Sequence, residues 1–169
     1  KALSTYAAIA IHNSIKSKSL VNEISQRVRF QEELEETNRK LIYLSENDGL
    51  TNIPNRRKLD FVINETWDQC IKDGKVLSLI IFDIDHFKQF NDNFGHTKGD
   101  QCLIDVCNYL KEKIDHKYFA ARYGGDEFVV LLPETSLEYA KQFAEEFRIG
   151  IEEMAFPNPY SKVSDVVTV

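Results

Sequence analysis

Cysteine, proline and glycine are all scarce in this sequence. Its 169 residues include 3 cysteines, 4 prolines and 7 glycines. The cysteines, Cys70, Cys102 and Cys107, are odd in number and form no C-x-x-C pair, which argues against a disulfide framework or a zinc site. We expect small buried side chains in a reducing cytosol, and therefore a cytoplasmic protein.

The sequence also lacks a long apolar run and an excess of positive charge. A membrane span needs about 18 to 20 apolar residues in succession, and no segment approaches that length. The net charge of −6 disfavours nucleic acid as a partner, because proteins that bind it usually carry a basic stripe. The same charge would repel a nucleoside triphosphate, so such a ligand would need a divalent ion to neutralise the site. The chain opens without an initiator methionine, and we expect it to be an excerpt of a longer protein.

Residues 1–46 predict a long helix. No proline or glycine occurs between Thr5 and Asn47, and the later part is rich in Glu, Gln, Arg and Lys. Two groups of apolar residues keep helical spacing but are offset by a stutter. They are Val21, Ile24 and Val28, and then Leu34, Leu41 and Leu44. A single solvated helix is the alternative, but length and charge favour a parallel coiled-coil linker, and hence a homodimer through the N-terminal helix. Upstream, Leu3–Ser19 resembles the last helix of a sensor such as a GAF domain.

Residues 47–169 predict an α/β (α+β) unit in which helices cover a largely antiparallel sheet. The apolar run Val76–Asp85 fits a central strand buried on both faces. Strand-like segments flank Gly124-Gly125, which we expect to form a two-residue hairpin tip. Apolar stripes at helical spacing follow Pro54, Gly99 and Thr135, and they predict helices packed on the sheet. Val163–Val169 predicts one more strand.

Acidic residues follow two of these predicted strands. Asp83 and Asp85 close the apolar run, and Asp126 and Glu127 follow the glycine pair. A solvated turn is one interpretation of acids at a hairpin tip. Carboxylates at the end of a buried strand are poor packing choices, however, and they suggest a cation site at the sheet edge.

Four blocks of sequence resemble the GGDEF family, the diguanylate cyclases. The blocks are Asp48–Arg57, Phe82–Asp92, Gly95–Asp100 and Arg122–Phe128, and the resemblance covers about residues 46–169. It implies a nucleotidyl-cyclase-like palm of the ferredoxin type, here preceded by a signalling helix over residues 1–46 and cut short at its C-terminus. It also implies condensation of two GTP molecules into cyclic di-GMP and two pyrophosphates by two domains that meet face to face.

The resemblance also assigns roles around the metal. Asp83, Asp126 and the Ile84 carbonyl would bind Mg²⁺, with Mn²⁺ as an alternative, because Mg²⁺ takes oxygen ligands. Asp126 and Glu127 would be the catalytic pair. Whether Glu127 completes a second metal site or helps to deprotonate the attacking hydroxyl stays open at this point.

Other positions would hold the nucleotide. Asn91 and Asp100 correspond to the guanine readers of the family, although a helix-end residue and an N-cap are structural alternatives for them. Backbone amides near His86, Phe87 and Lys88, where a helix is predicted to begin, would bind the β and γ phosphates.

The sequence departs from the family where many members carry an inhibitory product-binding Arg-x-x-Asp motif. Those positions hold Asp115 and Tyr118 here, and an acid cannot clamp a phosphate as arginine does. We therefore expect no feedback inhibition at that place. Arg122 is interpreted as a partner of nearby acids. A non-catalytic receptor for GTP or cyclic di-GMP, and a plain dimerisation module, remain as alternatives to an enzyme.

Overall fold

The computed structural model describes the backbone of residues 2–169 and the side chains of residues 16, 18, 20 and 22–169. It divides the chain into two units, one up to Ser45 and one from Glu46 to Val169. We expected Leu3–Ser19 to resemble the last helix of a sensor domain. Apart from Lys16 and Lys18, the side chains of this segment lie outside the described residues.

The first helix, α1, runs without interruption over Ala2–Glu46. Ion pairs with i,i+4 spacing join Glu23 to Arg27 and Glu36 to Lys40 on its surface, a spacing that supports a helix by a few tenths of a kcal/mol per pair. Its described apolar side chains are at least half exposed. They include Leu20, Ile24, Val28, Leu34, Leu41 and Leu44. No helix in the described part of the chain combines the length and hydrophobicity that crossing a membrane requires.

The second unit alternates helices with three strands. Its elements are α2 (Arg56–Asp73), β1 (Leu77–Asp83), α3 (Phe87–Phe94), α4 (His96–Lys113), β2 (Phe119–Gly124), β3 (Glu127–Pro133) and α5 (Leu137–Glu153). The strand order is β1-β3-β2 and both pairs are antiparallel. The expected α/β class, with helices around an antiparallel sheet, is confirmed.

Strand β3 is the middle of the sheet and its most buried element. Its residues Phe128–Leu132 are at most 3% exposed. On one face the rings of Phe82 and Phe128 stack with centroids 5.2 Å apart, and Phe82 meets Phe147 of α5 at 4.9 Å. On the other face Leu59 of α2 packs against β2 and β3. Helices on both faces therefore fix the strands whose ends carry the acidic residues.

Strand β1 lies at an edge of the described sheet, so our expectation of a central strand buried on both faces is wrong. Ile80 and Phe82 point into the core, whereas Leu79 and Ile81 are 42% and 65% exposed. The reason is that α2 covers β2 and β3 and leaves the same face of β1 open. A continuous apolar run indicates a hydrophobic strand, but it does not indicate which helix or strand covers each of its faces.

The hairpin tip also differs from the expectation. Gly124 is the last residue of β2 and pairs with Glu127, so Gly125 and Asp126 form the turn. A register shift between Arg122 and Gly124 moves the tip by one residue. Only Gly125 of the two glycines has a positive φ, of 53°, a conformation that glycine adopts at little cost.

The predicted C-terminal strand is reduced to a single bridge. Val166 pairs with Pro157, and the Val167 amide donates to the Phe156 carbonyl at 2.8 Å. Thr168 lies beside β1 instead, where its carbonyl accepts from the Asp85 amide at 2.9 Å.

The cysteines behave as expected. All three are free and buried, and burial raises the pKa of the Cys102 thiol to about 12. A thiol that stays protonated at neutral pH is a poor nucleophile.

Candidate active site

Three acidic residues lie where β1 ends and β3 begins. Asp83 and Glu127 are direct partners in the antiparallel register, and Asp126 occupies the adjoining turn. Because side chains alternate along a strand, Asp83 and Glu127 project from the same face, opposite to Phe82 and Phe128. Like charges directly opposite each other destabilise a sheet. None of the three carboxylates has a hydrogen-bonding or ionic partner among the described residues, so the arrangement favours binding of a cation.

This grouping is an open one. Within the described residues no set of three His, Cys, Asp or Glu side chains converges into a complete metal centre. Although the register places Asp83 and Glu127 on one face, they do not line a common cavity: Asp83 borders one of about 370 Å³ beside α5, and Glu127 borders one of about 300 Å³ beside α2. The side chains of Asp83 and Glu127 are exposed. Carboxylate oxygens are nevertheless the ligands that Mg²⁺ prefers, and water completes its octahedral coordination.

The second acid after β1 has a structural partner instead. The Asp85 carboxylate accepts from the Thr168 hydroxyl at 2.7 Å, and its backbone amide donates to the Thr168 carbonyl. Of the two acids that close the apolar run, only Asp83 is left for a cation.

A loop in the left-handed conformation joins Asp83 to α3. His86 has a φ of 55°, which is uncommon for a residue other than glycine and is typical of functional sites. The buried Ile84 turns its carbonyl toward α3, where it accepts from the Phe87 amide at 3.2 Å. No described side chain caps the first turn of α3, so amides near Lys88 remain for an anion, as expected for a helix N-terminus.

Helices α3 and α4 bring the two predicted guanine readers into one region. Asn91 lies within α3, and its side-chain oxygen is buried without a partner in the described chain. A Cβ added at Gly99 would lie 2.9 Å from Asn91 Cγ and overlap its oxygen, so the side chain rests directly on the α4 backbone. A buried polar atom without a partner costs about 1–3 kcal/mol. Such an atom is therefore a candidate for contact with a ligand.

Asp100 is an exposed residue inside α4, which begins at His96 after Gly95. The alternative that Asp100 caps this helix is therefore wrong, and so is the alternative that Asn91 ends α3. The apolar stripe predicted this helix from about Gly99, three residues after its actual start at His96. The absent side chain of Gly99 makes room for Asn91.

Arg122 holds the turn that carries Asp126, a role that sequence reasoning missed. Its Nε and Nη2 donate to the Gly125 carbonyl at 2.9 and 2.6 Å, and its Nη1 donates to Asp48 Oδ1 at 2.8 Å. The expected acidic partner is thus present. The contact to Gly125 is three residues away in sequence, and no spacing rule for strands predicts it.

Asp48 is the acidic partner that holds the Arg122 guanidinium in place. Its Oδ1 also accepts from the amide and the hydroxyl of Thr51, at 2.9 and 2.7 Å. Burial alone would raise the pKa of Asp48, but the hydrogen bonds from Arg122 and Thr51 outweigh burial and hold the pKa below its ordinary value. The ionised Asp48 carboxylate therefore stabilises the folded state fully above its unfolded-state pKa of about 4. This contribution to the free energy of unfolding is lost as the pH falls through the lowered pKa of the folded state.

Fold and site together define an α/β domain with three neighbouring acidic residues at the end of its sheet and an unsatisfied side-chain amide oxygen on a nearby helix. Residues 45–169 match the family described as diguanylate cyclase, GGDEF domain. The chain belongs to this family.

Individual relatives agree with the family match. Diguanylate cyclase DgcP of Pseudomonas aeruginosa is 39% identical over 137 residues, which cover 80% of this chain and 20% of that protein. Probable diguanylate cyclase DgcC of Escherichia coli K12 is 33% identical over 125 residues, 74% of this chain and 34% of that protein. The structure of the coiled coil and GGDEF domain of DgcB from Caulobacter crescentus, in complex with c-di-GMP, superposes with a TM-score of 0.80 at 28% identity, covering 89% of this chain and 79% of that one.

The chain thus spans between a fifth and about a third of these two curated relatives. The family assignment therefore concerns the part of a protein that residues 45–169 represent.

Proposed function

We propose that this chain is the catalytic part of a Mg²⁺-dependent diguanylate cyclase, which joins two GTP molecules into cyclic di-GMP and releases two pyrophosphates. The observation that carries the proposal is the facing pair Asp83 and Glu127, with Asp126 beside it and no cationic partner among the described residues. A structural acidic pair at this place would destabilise the sheet without any compensating contact.

Asp83, Asp126 and the Ile84 carbonyl hold the ion in this proposal. Bound Mg²⁺ would offset the charge that develops on the attacked phosphorus and would make the attacking hydroxyl more acidic. Glu127 either completes a second ion site or accepts the proton of that hydroxyl, and its exposed position on β3 is compatible with both roles.

Other residues on α3 and α4 bind and orient GTP in this proposal. Asn91 offers an amide to the guanine edge and Asp100 a carboxylate to its N–H donors, which distinguishes guanine from adenine. The backbone amides near His86 and Lys88 hold the terminal phosphates at the start of α3, because the Phe87 amide between them already donates to the Ile84 carbonyl. Orientation of this kind lowers the barrier because it replaces random encounter of two anionic substrates.

Two domains are needed to complete the product. In each half of the reaction the 3′-hydroxyl oxygen of one GTP forms a bond to the α-phosphorus of the other. The bond from that phosphorus to its bridging oxygen breaks, pyrophosphate leaves, and the hydroxyl proton passes to Glu127 or to solvent. Each domain supplies one GTP, so neither closes the ring alone.

Incubation with GTP and Mg²⁺ tests the proposal directly. We expect release of pyrophosphate and formation of cyclic di-GMP, identified by mass, and we expect neither from an Asp126→Asn variant. Binding of GTP without any turnover would instead favour a non-catalytic receptor. No rise in melting temperature with GTP and Mg²⁺ would leave a dimerisation module, because a ligand of the native state stabilises it.

Product inhibition through the family's Arg-x-x-Asp position is expected to be absent. Asp115 pairs with His116 at 2.8 Å and Tyr118 packs against Phe143, so neither position presents a guanidinium to a phosphate. Adding about 100 µM cyclic di-GMP, enough to saturate a site with a dissociation constant of about 1 µM, should leave the initial rate unchanged. The double substitution Asp115→Arg, Tyr118→Asp should make the rate sensitive, and a product dimer bound beside wild-type Asp115 would refute the expectation.

We also propose that α1 forms a parallel two-stranded coiled coil through which an upstream sensor regulates catalysis. Its exposed apolar stripe supports this, since Leu34 and Leu41 are 66% and 60% exposed. Light scattering should give the mass of a dimer for the wild type. The substitution Leu34→Asp should shift it toward the monomer, whereas Glu36→Ala, about 200° around the helix, should not. An unchanged mass in Leu34→Asp would contradict this arrangement.

A cytoplasmic location fits the same picture. The three free thiols match a reducing compartment, because oxidising compartments favour disulfides.

A further inference from the structure

The turn that carries Asp126 is fixed to the segment before α2 through two side chains. Arg122, at the end of β2, is 13% exposed and Asp48 is 24% exposed. The guanidinium reaches Gly125 with two donors and Asp48 with a third. Arginine is suited to this task because its donors form a rigid planar fork.

The carbonyl of Gly125 belongs to the same peptide group as the amide nitrogen of Asp126. Because a peptide group is planar, holding this carbonyl also sets the direction in which the chain enters Asp126. Gly125 itself has a positive φ and glycine has wide conformational freedom, so the turn has little intrinsic rigidity. The fork from Arg122 supplies what the glycine lacks.

The orientation of the guanidinium depends in turn on Asp48. Its Oδ1 receives four hydrogen bonds, from Arg122 Nη1, the amides of Leu50 and Thr51, and the Thr51 hydroxyl. Backbone contacts run in parallel, since the Arg122 amide donates to the Pro54 carbonyl at 2.9 Å. The segment before α2 is therefore connected to the turn by both main chain and side chain.

We propose that Arg122 and Asp48 are positioning residues which set the geometry of the Gly125–Asp126 turn for catalysis. This inference rests on the proposed function for its effect on turnover, but the geometric part stands without it. Arg122 acts through the turn and needs no contact with GTP. A displacement of the segment before α2 would pass to Asp126 along this route.

Hydrogen exchange in the protein without nucleotide tests the geometric part. In Arg122→Ala and Asp48→Asn we expect the amides of Asp126 and Glu127 to exchange at least about tenfold faster. The amides of Val130 and Leu131 in β3 should keep their rates, which a merely structural defect would not allow. Glu134→Gln is the matched control, because it removes an ion pair with Lys75 at the opposite end of the same strands.

Kinetics test the consequence for turnover. We expect kcat to fall about tenfold or more in Arg122→Ala, since misplacement by about 1 Å can cost a hundredfold, while KM for GTP stays within about threefold. Arg122→Lys should resemble Arg122→Ala, because one ammonium cannot replace the fork. The double variant Asp48→Asn, Arg122→Ala should be no worse than Arg122→Ala alone, as expected for residues that act as one unit.

Wild-type exchange rates at Asp126 in both single variants, or normal kcat in Arg122→Lys, would overturn the proposal. Equal acceleration along all of β3 would also overturn it, since that result means general destabilisation. If the wild type itself shows no turnover, the proposed function fails, and the exchange measurement still decides whether the two residues set the turn.

Discussion

Replacing Asp83 by asparagine is expected to lower the rate of pyrophosphate release from GTP about a hundredfold to a thousandfold, the scale of loss when electrostatic stabilisation of a transition state is weakened, here because the proposed cation loses a ligand. The substitution keeps the size of the side chain and removes its charge. The Asp83 side chain is exposed at the end of β1 and makes no hydrogen bond or ion pair in the described chain, so the free energy of unfolding should change by less than about 0.5 kcal/mol. An amide is a much poorer ligand than a carboxylate for Mg²⁺.

The rate should be measured at saturating GTP and Mg²⁺, so that the loss reports kcat. Asp68→Asn is the matched control, because it removes the charge of an exposed aspartate on α2, and its rate should equal that of the wild type. Retention of more than about a tenth of the wild-type rate in Asp83→Asn would remove this carboxylate from the proposed metal site.

The substitution Gly99→Ala is expected to lower kcat/KM for GTP about a hundredfold, the size of effect that a misplaced binding group can produce. The added Cβ would overlap the side-chain oxygen of Asn91, so the amide must swing away from the position in which it would meet guanine. Helix propensity points the other way, because alanine stabilises a helix by about 1 kcal/mol relative to glycine. Loss of function without loss of stability would therefore separate recognition from folding.

Competition between GTP and ATP provides the sharper readout for this variant. A site built to hydrogen-bond a base discriminates strongly against an analogue that cannot make those bonds, and Gly99→Ala should reduce that preference along with the affinity. Gly49→Ala is the matched control, since nothing lies within 4 Å of its added Cβ and its φ is not positive. An unchanged preference for GTP would show that Asn91 does not read the base.

Hydrophobic periodicity was sufficient to predict the helices and strands that form because one of their faces is buried. The stripes that predicted α2, α4 and α5 are the faces that these helices bury in the core, and the apolar segments around the glycine pair became β2 and β3. The signal is reliable there because burying one face of each element is the main driving force for its formation.

Features that depend on neighbours could not be obtained in this way. β1 is as apolar as a central strand, yet the strand order β1-β3-β2 puts it at an edge, and one of its faces is open because α2 packs on β2 and β3. The turn shifted by one residue because of an irregularity near Tyr123. Each outcome depends on contacts between residues far apart in sequence, which local patterns do not encode.

In the candidate site, too, some residues could be predicted from the sequence and others could not. Acidic residues after two strands were visible in the sequence, and so was the motif around Asn91. The roles of Gly99 and Arg122 were not, because each depends on one specific contact in space, with Asn91 and with Gly125.

Calorimetric titration of GTP, with and without Mg²⁺, tests the central claim that Asp83 and Asp126 share a cation that carries the nucleotide. In the wild type we expect Mg²⁺ to raise the affinity for GTP by at least about tenfold, or 1.4 kcal/mol. In the Asp83→Asn, Asp126→Asn variant Mg²⁺ should have no effect on that affinity. An affinity that is independent of Mg²⁺ in the wild type, or an undiminished Mg²⁺ effect in the double variant, would contradict the account.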